Sequence, residues 1–89
     1  MSIKSELGPP LRALWLEAAG DWAGAHETVQ SDESTLAAWV HAYLHRKEGD
    51  LANAGYWYRR AGREAGSATL EVEWGEIATS LLAAGGAPS

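Results

Sequence analysis

A Gly-Asp pair at residues 20–21 recurs at residues 49–50, and a shift of 29 residues lays GDWAGAHETV (20–29) over GDLANAGYWY (49–58). Gly20 falls on Gly49, Asp21 on Asp50, Trp22 on Leu51 and Ala25 on Ala54; upstream, Leu14 meets Tyr43 and Trp15 meets Leu44. Glycine ends a helix readily because it tolerates a left-handed backbone, and aspartate caps the next helix by accepting from its free N–H groups. Each unit therefore reads as helix, turn, helix. A repeat of this period implies stacked helical hairpins, each burying its apolar face against the next.

The apolar spacing fills in the helices. After Pro9 and Pro10, which suit the start of a helix, Leu11, Leu14, Trp15 and Ala18 share a face. A second helix over roughly 22–30 places Trp22, Ala25, His26 and Val29 together. A third, over roughly 35–47, carries Leu36, Trp39, Val40 and Tyr43, with Leu44 beside them. The fourth, over roughly 51–64, has an unusually small face of Leu51, Ala54, Gly55, Tyr58, Ala61, Gly62 and Ala65, which predicts close backbone approach to a neighbour. The last, over roughly 69–83, buries Leu70, Trp74, Ile77, Ala78 and Leu81. Apolar alternation never persists, so no strand is predicted. The fold class is all-α: one domain over residues 1–89 with about five helices in antiparallel hairpins, and flexible ends at 1–8 and 85–89.

Each predicted helix carries one tryptophan: Trp15, Trp22, Trp39, Trp57 and Trp74. A chain this short has a thin core, and eight Trp and Tyr side chains without any Phe enlarge it, while bringing polar N–H and O–H groups to its edge. The absence of Cys excludes disulfides, thiolate metal sites and thiol nucleophiles. The first ten residues lack the apolar core of a secretory signal, and no apolar run is long enough to span a membrane, so a cytoplasmic protein is expected. The net charge of −5 argues against nucleic-acid binding. It is unevenly spread: residues 46–63 carry a local +3 from Arg46, Lys47, Arg59, Arg60 and Arg63 against Glu48 and Asp50, which leaves −8 elsewhere.

The run AW…Y…EGDLANAGYWYRRAG resembles a tetratricopeptide repeat, with Ala54, Tyr58 and Ala61 at the small, aromatic and small positions of that family's second helix. The likeness covers roughly residues 38–62 well and 11–29 poorly. It implies two divergent units plus a C-terminal helix, and a module that binds a peptide or partner helix. The chain also resembles a group of short bacterial proteins, a likeness that implies no activity.

Two sets of side chains are left over once the repeat is accounted for. His41 and His45 stand four residues apart, a spacing that puts two imidazoles on one helix face and can present both to a metal ion. His26 on the preceding helix is a candidate third ligand, and Glu48 or Asp50 at the turn are the alternatives for that position. Position 42 is Ala, so the HExxH general base of metallopeptidases is missing. The second set, Tyr56, Arg59, Arg60 and Arg63, forms an aromatic-basic stripe suited to carboxylate or phosphate. Glu71, Glu73 and Glu76 read as a solvated acidic face. No phosphate loop, nucleotide fingerprint or nucleophile elbow is present, and no enzyme activity is expected.

The sequence-based expectation is an interaction module. Its face of His41, His45, Tyr56, Arg59, Arg60 and Arg63 would receive an acidic protein or peptide, and the chain would associate with itself. The alternative is a protein that holds a transition metal such as zinc, or another cofactor, through His41 and His45 with His26.

Overall fold

In the computed structural model the described residues are 8–65 and 68–85, with the side chains of 84 and 85 left aside. Five helices follow one another: α1 Pro9–Ala18, α2 Trp22–Val29, α3 Thr35–Glu48, α4 Leu51–Arg60 and α5 Leu70–Gly85. No strand occurs among the described residues. Of the predicted loose ends 1–8 and 85–89, residues 1–7 and 86–89 lie outside them, as does the predicted break at Gly66 and Ser67, whereas Gly8 is the N-cap of α1 and Gly85 closes α5.

The two Gly-Asp turns are built alike. Gly20 and Gly49 have φ of 92° and 91°, the left-handed region in which a side chain is strained. Gly20 N–H donates to the Glu17 carbonyl and Asp21 N–H to that of Leu16; Gly49 N–H donates to Arg46 and Asp50 N–H to His45. Carbonyls left free at each helix end are thereby satisfied. The same aspartates then cap the following helices, Asp21 accepting from Gly24 N at 2.9 Å and Asp50 from Asn53 N at 3.3 Å. Ser34 caps α3 through Ala37 N. One residue thus closes one helix and opens the next, which fixes the tight hairpins α1–α2 and α3–α4.

A third turn of the same kind ends α4. Gly62 has φ of 71°, its N–H donates to the Arg59 carbonyl, and Arg63 N–H donates to Tyr58. The predicted continuation to residue 64 is therefore wrong: Gly62 is a stop, and Ala61, Gly62 and Ala65 lie beyond the helix. Ala54 and Tyr58 are buried as expected, but Leu51 is 68 % exposed. A Cβ built on Gly55 would meet only the Arg59 guanidinium, so no neighbouring helix approaches it closely.

Helix α3 is the centre of the molecule, packed against each of the other four helices. Residues 37–45 are buried without a break, as befits a helix covered on all sides. Leu14, Val29, Val40, Leu44 and Ile77 are its fully buried neighbours and members. Trp39 is buried among them, whereas Trp15 is half exposed and anchors no core.

Polar links hold the outer helices on α3. Glu73, expected at the surface, is 4 % exposed and accepts from Trp39 Nε1 at 3.1 Å, Arg46 Nη1 at 2.6 Å and the Tyr58 hydroxyl. Three donors satisfy a carboxylate whose burial is otherwise costly. Arg46 also donates to the Ala68 carbonyl. Lys47 pairs with the buried Glu17 of α1, and Trp22 Nε1 donates to the Leu44 carbonyl at 2.8 Å. Two of the five cations of the basic segment are therefore engaged in the fold.

Candidate metal centre

The three histidines meet. His26 projects from α2, and His41 and His45 from one face of α3, so the cluster spans the first hairpin and the second. His26 Nε2 and His41 Nε2 are 2.9 Å apart, and one ring nitrogen of each histidine lies within 4.8 Å of the others. The ring centres of His26 and His41 are 4.5 Å apart, those of His41 and His45 5.0 Å, and those of His26 and His45 5.1 Å. Metal–nitrogen bonds of about 2.1 Å at tetrahedral angles put the nitrogens about 3.4 Å and the ring centres about 5 Å apart. Two of the three ring-centre distances come within a few tenths of an ångström of that spacing, and His26 and His41, in hydrogen-bond contact, sit closer together than two ligands of one ion would.

The surroundings fix the rings. Trp22 lies flat over His26, its ring centre 5.0 Å away at 10°, because positions 22 and 26 are one turn apart on α2. Trp57 comes across from α4 and stacks on His41 at 3.8 Å and 11°. His45 Nδ1 bonds Glu48 Oε1 at 2.6 Å, one turn along α3. A carboxylate on Nδ1 fixes the tautomer and leaves Nε2 with its lone pair, the arrangement that supports metal-binding histidines.

His41 and His45 are 4 % and 7 % exposed. A histidine buried only for packing usually has both nitrogens satisfied. In His41 the Nε2 meets His26, and the Nδ1 is buried with no hydrogen-bond partner among the described residues. Burial pushes the His41 pKa down to about 4, helped by His26 and His45. The His26 pKa is also lowered, by burial and then by His45, against a smaller opposing pull from Glu48. Both imidazoles are therefore neutral near pH 7, the form in which a ring nitrogen can donate its lone pair to a metal.

No family model, curated protein or solved structure matches the chain. What the site can do follows from its own chemistry.

The remaining candidates of the binding face are dispersed. Tyr56 and Arg60 pair on the outer side of α4, with Arg60 Nη1 donating to the Tyr56 hydroxyl at 3.2 Å. The Arg60 guanidinium also sits 5.2 Å from the Trp57 ring centre. Arg59 is exposed on the same helix. Arg63 lies elsewhere, 3.4 Å over the Trp39 ring, at a cleft of about 610 Å³ lined by Val72, Gly75, Glu76 and Thr79 of α5. His41 and His45 turn inward to His26 and share no surface with these arginines. Trp22 and Trp57, which wall the cluster, read from the sequence only as packing residues. The i, i+4 spacing of Trp22 and His26 is a signal for one of them; the approach of Trp57 from another helix leaves none.

Proposed function

We propose that this chain is a metal-binding protein whose His26, His41 and His45 hold one divalent transition ion such as zinc. The convergence of three imidazoles from two helices, with one nitrogen of each within 4.8 Å of the others, carries this reading. Imidazole nitrogen suits zinc, copper and nickel, and the lack of Cys leaves histidine as the strongest ligand type in the chain. The ion would replace the His26–His41 hydrogen bond and tie the first hairpin to the second. Calorimetric titration of metal-free protein with zinc tests it: one saturable site per chain that His41→Ala and His45→Ala abolish is the expected result. Absence of saturable binding would remove the reading.

A second reading rests on the outer face of α4. That helix lies mainly against α3, reaching α5 through Tyr58, and it leaves Leu51 and Tyr56 exposed beside Arg59 and Arg60. A basic, partly apolar face on a chain that is acidic elsewhere suits a second copy of the same chain. Light scattering at high micromolar concentration tests this. A dimer that Arg59→Ala with Arg60→Ala dissociates is the expected result, and a monomer throughout would end it.

A further inference from the structure

We propose that the ion in this site has an exchangeable fourth position that takes a small monoanion from solution. The proposal rests on the three-histidine reading above. Among the described residues, no fourth His, Asp or Glu ligand atom lies within 4.8 Å of all three imidazole nitrogens. The nearest acidic groups are already committed. Glu48 is bonded to Nδ1 of His45, which leaves Nε2 as the free nitrogen of that ring. Asp50 belongs to a separate group with His45 and Glu48, and its carboxylate caps α4 through Asn53. Asp21 caps α2 in the same way.

A tetrahedral ion held by three protein ligands is completed by water or by an added ligand, whereas structural sites supply all four. Access is compatible with this. His26 and the walls Trp22 and Trp57 are only half buried, and Trp22 and Glu48 also line a cleft of about 280 Å³ with Glu17, Gly20 and Lys47. The charge balance selects the ligand class. Three neutral imidazoles leave the ion's two positive charges, and Glu48 offsets one of them through His45. One charge remains, and a monoanion neutralises it. Arg60, stacked on the indole that covers His41, adds a further cation nearby.

Cobalt(II) reports its coordination directly, since its visible absorption depends on ligand number and type. Metal-free protein is loaded with one equivalent of Co²⁺ and titrated with sodium azide and, separately, sodium thiocyanate at constant ionic strength. The expected result is a saturable change in the visible bands with Co²⁺ still bound at one per chain and the oligomeric state the same as without metal. Bound Co²⁺ whose spectrum neither anion alters would overturn the open position while leaving the three-histidine site standing. Co²⁺-driven dimerisation with an anion-insensitive spectrum would assign the fourth ligand to a second copy and overturn it equally. Failure to bind Co²⁺ at all would remove both readings.

Discussion

The Nδ1 of His45 lies 2.6 Å from a carboxylate oxygen of Glu48, one turn away on the same helix. This pairing turns a histidine with two equivalent nitrogens into one with a defined donor and a defined lone pair. Glu48→Gln keeps the side-chain shape but weakens the acceptor. Zinc affinity is expected to fall about 10- to 100-fold, the range for a group that supports a ligand without touching the metal. Calorimetry measures the affinity, and an unchanged far-ultraviolet circular dichroism spectrum excludes unfolding as the cause.

Metal binding links α2 to α3, so it stabilises the fold as a whole. At free zinc 100-fold above Kd, stabilisation of about 2.7 kcal/mol is expected. For a domain of this size that corresponds to a rise in Tm of at least about 10 °C. Thermal melts with zinc and with a chelator check it, and His26→Ala should show no difference between the two.

The two indoles stacked on the ligands give an optical signal. Copper(II) should quench part of the tryptophan fluorescence and saturate at one equivalent, because Trp22 and Trp57 lie against His26 and His41. Trp57→Leu should remove much of the quenchable portion. Quenching that grows without saturation would point to collisional contact at the exposed Trp15 instead.

Much of this arrangement was legible before any coordinates. Gly49 and Asp50 announce their turn because few residues adopt its backbone, and His41 and His45 announce a shared face through their spacing. His26 is a candidate from its place on the helix that precedes His41 and His45. Three other features were hidden for one reason: each depends on which helix lies alongside. A helical wheel sees α3 in isolation and cannot show that four neighbours cover it, so the burial of His41 and His45 is not legible there. Glu73 reads as one of three surface acids until Trp39, Arg46 and Tyr58 converge on it from two other helices. Gly62 reads as a packing residue until the turn after α4 assigns it a positive φ.

The buried carboxylate gives a stability prediction. Removing the charge of Glu73 by Glu73→Gln leaves the Arg46 guanidinium without its ion partner and should cost about 3 kcal/mol. Urea denaturation measures this. A loss below about 1 kcal/mol would mean that the network contributes little.

Alkaline pH acts on the same region. Burial raises the pKa of both Tyr58 and Tyr43, with the hydrogen bond to Glu73 adding to it in Tyr58 and the charge of Glu17 in Tyr43, which reaches about 12. Above about pH 10 these phenols ionise in the unfolded chain while the folded chain keeps its protons. The folded state then binds more protons, so stability declines as pH rises from about 10 through about 12. Urea midpoints across that window should fall less steeply for Tyr43→Phe than for the parent chain.

The most direct test of the central claim is zinc titration of His26→Ala against the parent protein, because His26 alone brings the first hairpin into the site. The account predicts one zinc per chain for the parent and a loss of more than about 100-fold for the variant, beyond the range of a merely supporting residue. Equal affinities in the two proteins, or no saturable binding by the parent, would contradict it.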